Sequence, residues 1–450
     1  MSEAFEHAKV RIWGTDVGAV SWDHSADIAV FEYDSDFMKA PVELSPIRMP
    51  KQAGPIRFPG LEKASFHGLP GMLADSLPDK FGNALIDRWC REQNRKELNP
   101  VEKLLYVGRR AMGALEYEDS FDIGIKEHDR PIDIANLVKL SSKILSERQN
   151  FKTELKESDG TDSGTQGLEE ILMVGSSAGG ARAKALIAWN RKTSEIRSGQ
   201  LELGAEFEHY LIKFDGVSEN RDKGRLADPQ GFGRIEYAYH LMAKAAGVSM
   251  APCELYEENG RAHFLTKRFD RVDGQKLHMQ SLCAIAHYDF NMAGAYSYEQ
   301  AFRVMTQLLK EEAQPALEQQ YRRMVFNVLA RNQDDHTKNI AFLMDRQGNW
   351  SLSPAFDVTY SYNPEGEWTS GHQMTIAGKR GKSGSDAITM DDLIGIGKHA
   401  NIQPGKARKI IQGVSEAVRE FKYCAHKAKV NEELTVVASH GIRSELLSIY

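Results

Sequence analysis

Cysteine is scarce in this chain. Its 450 residues hold four, Cys90, Cys253, Cys283 and Cys424, far apart and in no CxxC or Cys/His spacing. Such usage argues against a disulfide framework, matches no zinc-type spacing, and fits plain thiols in a reducing cytosol. Long apolar runs are missing as well. No stretch approaches the ~20 residues that span a bilayer. The first ten residues, MSEAFEHAKV, lack the basic start and apolar core of a signal peptide, so a cytoplasmic protein with no membrane contact is expected. Positive charge is not in excess either: the net charge is −6. Binding to a phosphate backbone needs clustered Lys and Arg, so autonomous nucleic-acid binding is disfavoured. Local basic stretches such as residues 379–382 still allow DNA contact through a partner.

What is present is an ordinary globular composition, 41% hydrophobic and 27% charged. A chain this long outgrows one core, and two or three packed units are expected. No internal repeat occurs at solenoid or propeller periods. Residues 10–13 and 28–33 read as strands, and a Gly/Pro-punctuated segment, FHGLPGMLADSLPDKFG, leads into a helix carrying Ala84, Leu85, Ile86 and Trp89. A second helix follows Pro131, with Ile134, Leu137, Val138, Ile144 and Leu145 at helical spacing. Residues 157–167, ESDGTDSGTQG, are too polar and small to bury an apolar face, and read as a linker or mobile loop. Residues 185–189, 209–214 and 262–269 read as strands, and 234–246 as a helix. Beyond about residue 280 the pattern is mostly helical, ending in an amphipathic stripe of Ala407, Ile410, Ile411, Val414, Val418 and Phe421.

The strongest chemical signal is RNQDDHTKN, residues 331–339, with a further acid at Asp357 in SPAFDVTY. Phosphoryl transfer needs a carboxylate near the attacking hydroxyl and oxygen ligands for Mg²⁺. Asp334 and Asn339 have the Asp, four-residue gap and Asn of protein kinases, and Asp357 stands where a second metal ligand would. Residues 340–343 and 350–352 read as short strands joined by the turn Asp345-Arg346-Gln347-Gly348-Asn349. Alone, the Asp–Asn spacing also fits a solvated polar loop; the hairpin and second acid favour the kinase reading. Gly175-Ser176-Ser177-Ala178-Gly179-Gly180 can bring backbone N–H groups to a phosphate, or be a flexible turn. Gly381-Lys382-Ser383 ends like a Walker A loop, but Ile376 stands where its first glycine is required. Lys213, in a strand, could reach nucleotide phosphates with Glu236 as its ion-pair partner, or face solvent. A metal hydrolase on Asp334, Asp335 and His336 lacks a histidine pair; His336 reads as a residue behind the site or a cap, and no transition metal is assigned.

Together these motifs resemble the HipA family of kinase toxins from bacterial toxin–antitoxin pairs, over nearly the whole chain. GLPGMLADSLPDKFG is similar to the hallmark of the family's N-terminal subdomain, SSAGGARAK to its phosphate loop, and HYLIKF to its nucleotide lysine strand. KRFDR (267–271) is similar to the hinge, DDHTKN and AFD to the catalytic and metal-binding segments, and MTIAGK (374–379) also recurs in relatives. The resemblance implies an α+β, two-lobed, protein-kinase-like fold: an N-terminal subdomain over 1–125, a nucleotide-binding lobe with the Gly/Ser loop over 126–275, and a helical lobe over 276–450.

It implies an ATP- and Mg²⁺-dependent serine/threonine protein kinase with Asp334 as catalytic base and Asn339 and Asp357 on the metal. Lys213, the loop Ser177, Ala178, Gly179 and Gly180, the hinge from Lys267 to Phe269, and His336 and Lys338 would bind the nucleotide. Relatives autophosphorylate a serine aligned with Ser177, beside which Ser176 stands here, and the loop departs from many relatives at Ala183. A phosphate there adds about −1.5 to −2 charge to a loop that must cradle an anion, so the modification should inhibit. The implied target is an aminoacyl-tRNA synthetase of the glutamyl type, whose modification halts translation and favours persistence. The implied partner is a HipB-type DNA-binding antitoxin. Two other readings are a catalytically idle co-repressor acting with such a partner, and a small-molecule kinase with the same parts.

Overall fold

The computed structural model describes residues 7–118, 131–150, 182–201, 203–218, 230–363, 365 and 369–447. The Gly/Ser loop with Ser176, Ser177, Ala178, Gly179 and Gly180, and the polar stretch 157–167, lie outside them. The chain forms two compact units. One holds Met1–Val42, Lys51–Asn220 and Tyr256–Met279; the other holds Glu43–Pro50, Arg221–Leu255 and Gln280–Tyr450.

The first unit opens on a four-stranded antiparallel sheet in the order β3-β2-β1-β4, from His7–Ile12 (β1), Thr15–Asp23 (β2), Ile28–Tyr33 (β3) and Leu115–Glu118 (β4). Alternation builds it: Ala8, Val10 and Ile12 are buried while His7 and Lys9 face out. The strand expected at 10–13 stops at Ile12. Trp13 and Gly14 both take positive φ, 49° and 82°, as a two-residue hairpin turn matched to strand twist requires. The expected helix is Lys80–Glu92, capped by Asp79, whose Oδ1 accepts from the Gly82 N–H at 2.7 Å. The helix after Pro131 is Ile134–Asn150.

A second sheet, in the order β6-β5-β7-β9-β8, comprises Arg182–Asn190 (β5), Glu195–Ser198 (β6), Phe207–Ser218 (β7), Cys253–Glu258 (β8) and Arg261–Lys267 (β9). β5 is buried along most of its length because it is flanked by strands on both sides, unlike the edge strand β6. The strand expected at 262–269 ends at Lys267, leaving Phe269 in the loop beyond it.

The second unit is mostly helical. Its central element is the 18-residue helix Ala313–Ala330, which buries Leu317, Tyr321, Met324, Val325, Phe326, Val328, Leu329 and Ala330. Against it pack Tyr298–Leu309 and Pro404–Arg419. Phe232–Ala245 joins the same core through Ile235, Ala238, Tyr239 and Met242. The buried Tyr239 and Tyr321 hydroxyls donate to the Ala330 and Leu393 carbonyls, at 2.6 and 2.7 Å. The stripe from Ala407 to Phe421 forms two helices rather than one: Pro404–Arg419 ends at Glu420, and Phe421–Lys427 follows. A β-hairpin in this unit pairs Ala341–Met344 with Trp350–Leu352, as the sequence indicated.

Candidate active site

The helix Ala313–Ala330 ends because Arg331 adopts the left-handed conformation, φ 57°, while its N–H still donates to the Asn327 carbonyl. The chain then enters RNQDDHTKN as an irregular loop whose backbone N–H groups need partners. Ser361 supplies one: its Oγ accepts from the Gln333 and Asp334 N–H groups at 2.7 and 3.0 Å. Asn339 supplies another tie, its Nδ2 donating to the Asp334 carbonyl at 2.8 Å. With the amide nitrogen so used, the Asn339 carbonyl oxygen is the end left to meet a cation.

Asp335, directly after Asp334, is the buried anchor of the loop, with a side chain 1% exposed. Its Oδ2 accepts from the Tyr298 hydroxyl at 2.7 Å and lies 2.9 Å from His372 Nδ1, and its Oδ1 accepts from the Gln373 N–H at 2.8 Å. Burial pushes this carboxyl up, but the histidine charge and the hydrogen bonds more than offset that and hold it below the usual range. The network continues: Asn327 Nδ2 donates to the Tyr298 oxygen (3.2 Å), Asn332 Nδ2 to Asn327 Oδ1 (2.9 Å), and Ser361 Oγ to Asn332 Oδ1 (3.2 Å). One chain of bonds thus runs from His372 to the Asp334 N–H.

MTIAGK explains itself in this setting. Thr375 N–H donates to the Tyr296 carbonyl at 2.8 Å, Met374 and Ile376 are buried, and a tight turn with Ala377 and Gly378 at positive φ returns the chain. The segment therefore delivers His372 and Gln373 to Asp335.

Asp357 lies at φ 55°, a conformation that costs an ordinary L-residue energy and is held here by its surroundings. With Asn339, Asp335, His336, Asn332 and Tyr298 it lines one cavity of this unit. Asn339 and Asp357 come together because the hairpin folds back the residues between them. Asp345 fixes that turn, accepting from the Gln347 and Asn349 N–H groups and from Asn349 Nδ2, each at 2.9 Å. A carboxylate and an amide oxygen on one wall are hard donors suited to Mg²⁺, which commonly completes its shell with water and substrate phosphates. Among the described residues no group of three or more His, Cys, Asp or Glu could hold a metal. The oxygen donor set present fits a hard cation such as Mg²⁺.

Asp334 is not on that wall; its side chain is 29% exposed, with His336 Nε2 3.9 Å away. A partly exposed carboxylate on a tethered backbone can take a proton from an incoming hydroxyl. His336 precedes the turn Thr337–Asn339 without capping it through its side chain, and packs edge-on against Phe290. Lys338 extends over the same Phe290 ring, 4.6 Å from its centre.

In the first unit Lys213 is buried, 8% exposed, on β7, with its Nζ 5.9 Å from the centre of the Phe264 ring on β9. Its cross-strand neighbour on β5 is a second buried lysine, Lys184, paired with Asp79 at 3.3 Å. Glu236 belongs to the other unit, where it is 1% exposed. Lys267 Nζ donates to Glu208, whose carboxyl is lowered chiefly by that bond. Beyond it, Asp270 is fully buried. It accepts from Arg268 at 2.9 and 2.6 Å, from Arg271 at 2.8 Å and from the Gly113 N–H at 2.7 Å. Burial raises this carboxyl, and the two guanidiniums override it and hold it far below the usual range. KRFDR is thus a rigid ionic knot.

Sequence reading did not find Tyr298, Ser361, His372, Gln373, or the Lys184–Asp79 pair. Asp79 alone carries a local signal that could have found it, an Asp just before the helix Lys80–Glu92. The others lie far along the chain from the groups they hold.

A unit built on sheets and a mostly helical unit with an Asp–x4–Asn loop together fit an α+β protein of the two-lobed protein-kinase-like fold class. Family models narrow this: one for the HipA N-terminal domain matches residues 8–118, and one for the HipA-like C-terminal domain matches residues 176–421. The chain belongs to the HipA family. It is similar to the HipA chain of a Shewanella oneidensis MR-1 toxin–antitoxin complex of HipA, HipB and operator DNA, with TM-score 0.63 and 14% identity over 98% of this chain and 96% of that one. It is also 26% identical over 150 residues to "Putative kinase Y4mE" of Sinorhizobium fredii, a match spanning 30% of this chain and 35% of that relative. Among the described residues no helix is long and apolar enough to cross a membrane.

Proposed function

We propose that this protein is an ATP- and Mg²⁺-dependent serine/threonine protein kinase of the toxin type. The observation that carries the reading is the tether of Asn339 to the Asp334 carbonyl, with Asn339 and Asp357 on one cavity wall. In this reading Asp334 accepts the proton of the substrate hydroxyl, and its tethered backbone holds the carboxylate where that hydroxyl arrives. Asn339 and Asp357 would hold Mg²⁺, which neutralises phosphate charge when bound. Lys213 would meet the nucleotide phosphates, the backbone at Lys267 to Phe269 the adenine, and the Ser177 loop the remaining phosphate oxygens, and His336 and Lys338 would also bind the nucleotide.

Modification of Ser177 by the kinase itself would place like charge beside ATP and switch the protein off. An aminoacyl-tRNA synthetase of the glutamyl type is the proposed acceptor. The Shewanella complex supports a HipB-type antitoxin as partner, through which DNA is met, and cytoplasmic residence follows from such partners.

The test is incubation of pure protein with labelled ATP and Mg²⁺, then mass spectrometry. Phosphate on Ser177 or Ser176, or on a synthetase in added lysate, supports the kinase. No ATP turnover in either setting sinks it and leaves the idle co-repressor.

A further inference from the structure

The central helix of the second unit carries a buried cation that the proposed chemistry does not use. Arg323 is 6% exposed. Its Nη2 donates to the Ser353 carbonyl, while its Nε and Nη1 meet no acceptor of the protein. One helical turn earlier, Gln320 is 1% exposed, and its Oε1 is likewise without a partner. Both residues line the cavity described above.

A guanidinium buried without a counter-charge is costly, because desolvation is not repaid by attraction. The first unit shows the usual remedy, in which Arg268 and Arg271 close on Asp270. Arg323 has no such acid. Asp335 spends both oxygens on Tyr298, His372 and Gln373. Burial alone lowers the Arg323 guanidinium, to about 9, with no carboxylate acting on it.

We propose that this cavity binds a small monovalent anion of the halide class on the open N–H groups of Arg323. The Gln320 amide would turn its NH₂ end inward as a further donor, since its two ends differ little in shape. The carboxylates of Asp335 and Asp357 on the same wall disfavour a polyanion such as phosphate, whereas one charge balances one guanidinium. The anion would share its cavity with Asn339 and Asp357; the tests below use neither nucleotide nor phosphotransfer, so the two proposals fail separately.

Crystals of the full chain soaked in sodium bromide, measured at the bromine edge, should show an anomalous peak at hydrogen-bonding distance from Arg323. In solution, melting in sodium chloride against sodium gluconate at equal ionic strength should favour chloride. Chloride at ten times its Kd shifts the folding equilibrium about tenfold. Arg323→Met should lose that dependence. No peak at Arg323 together with equal melting in both salts overturns the proposal, as do bromide peaks at surface sites only, which mark an adventitious ion only. If Arg323→Met does not fold, the wild-type map and the wild-type salt comparison decide.

Discussion

Asp335 rather than Asp334 is the residue on which the loop's geometry depends. Three donors converge on it, and one of them, the Tyr298 hydroxyl, also accepts from Asn327. Tyr298→Phe leaves a buried carboxylate short of a donor, which should cost about 1–3 kcal/mol by urea unfolding. It should also lower kcat more than it raises the KM for ATP, because the bond chain leads to the Asp334 backbone. The carboxyl of Asp335 is depressed on folding, so its contribution is present above its unfolded value, 3.8, and is lost as pH falls through the lower folded one. Wild-type stability should therefore decline in acid below about pH 4, and Asp335→Asn should narrow its gap to wild type there. For the base itself, Asp334→Ala should cut phosphotransfer by roughly 10²–10⁴-fold with the fold intact by circular dichroism. Undiminished activity would remove Asp334 from the role.

At the scale of elements, the hairpin Ala341–Met344/Trp350–Leu352 brings Asn339 and Asp357, the proposed metal pair, eighteen apart in sequence, onto one cavity. Its strands were legible as short apolar runs around a turn rich in Asp, Asn and Gly, since turn chemistry is local. Asp345→Ala removes three acceptor contacts from that turn. It should weaken Mg²⁺ binding several-fold by calorimetry in the presence of nucleotide, while ATP-free secondary structure is unchanged. Equal Mg²⁺ affinity would show that the turn does not set the pair. Legibility ended where a boundary depended on tertiary contact. Trp13 leaves its strand to make a turn, and the last amphipathic stripe divides at Glu420, with Phe421 still buried in the same core. Periodicity reports which face is apolar, and it runs on unbroken when a helix ends and another begins on the same core.

The whole molecule consists of two units, each with its own buried charges, and Asp270 is the ion-pair centre of the first. Asp270→Asn leaves Arg268 and Arg271 uncompensated, and breaking a buried pair of this kind costs about 3–5 kcal/mol. Hydrogen exchange should show amides of β1–β9 opening at lower urea than those of the helix Ala313–Ala330. Simultaneous opening of both would show that the two units unfold as one.

The sequence by itself determined the family and the sheet-then-helix order, and it singled out Asp334, Asn339, Asp357 and Lys213 as the proposed site, because spacing within a loop, a strand or a hairpin is written in consecutive residues. Only the tertiary structure decided what holds them. Tyr298, Ser361 and His372 reach the loop from up to 37 positions away. Phe232–Ala245 joins the helical core by the burial of one face, and Arg323 is buried without an acid. Burial and partnership arise from elements distant in the chain meeting in space, and no local pattern of residues records which ones meet.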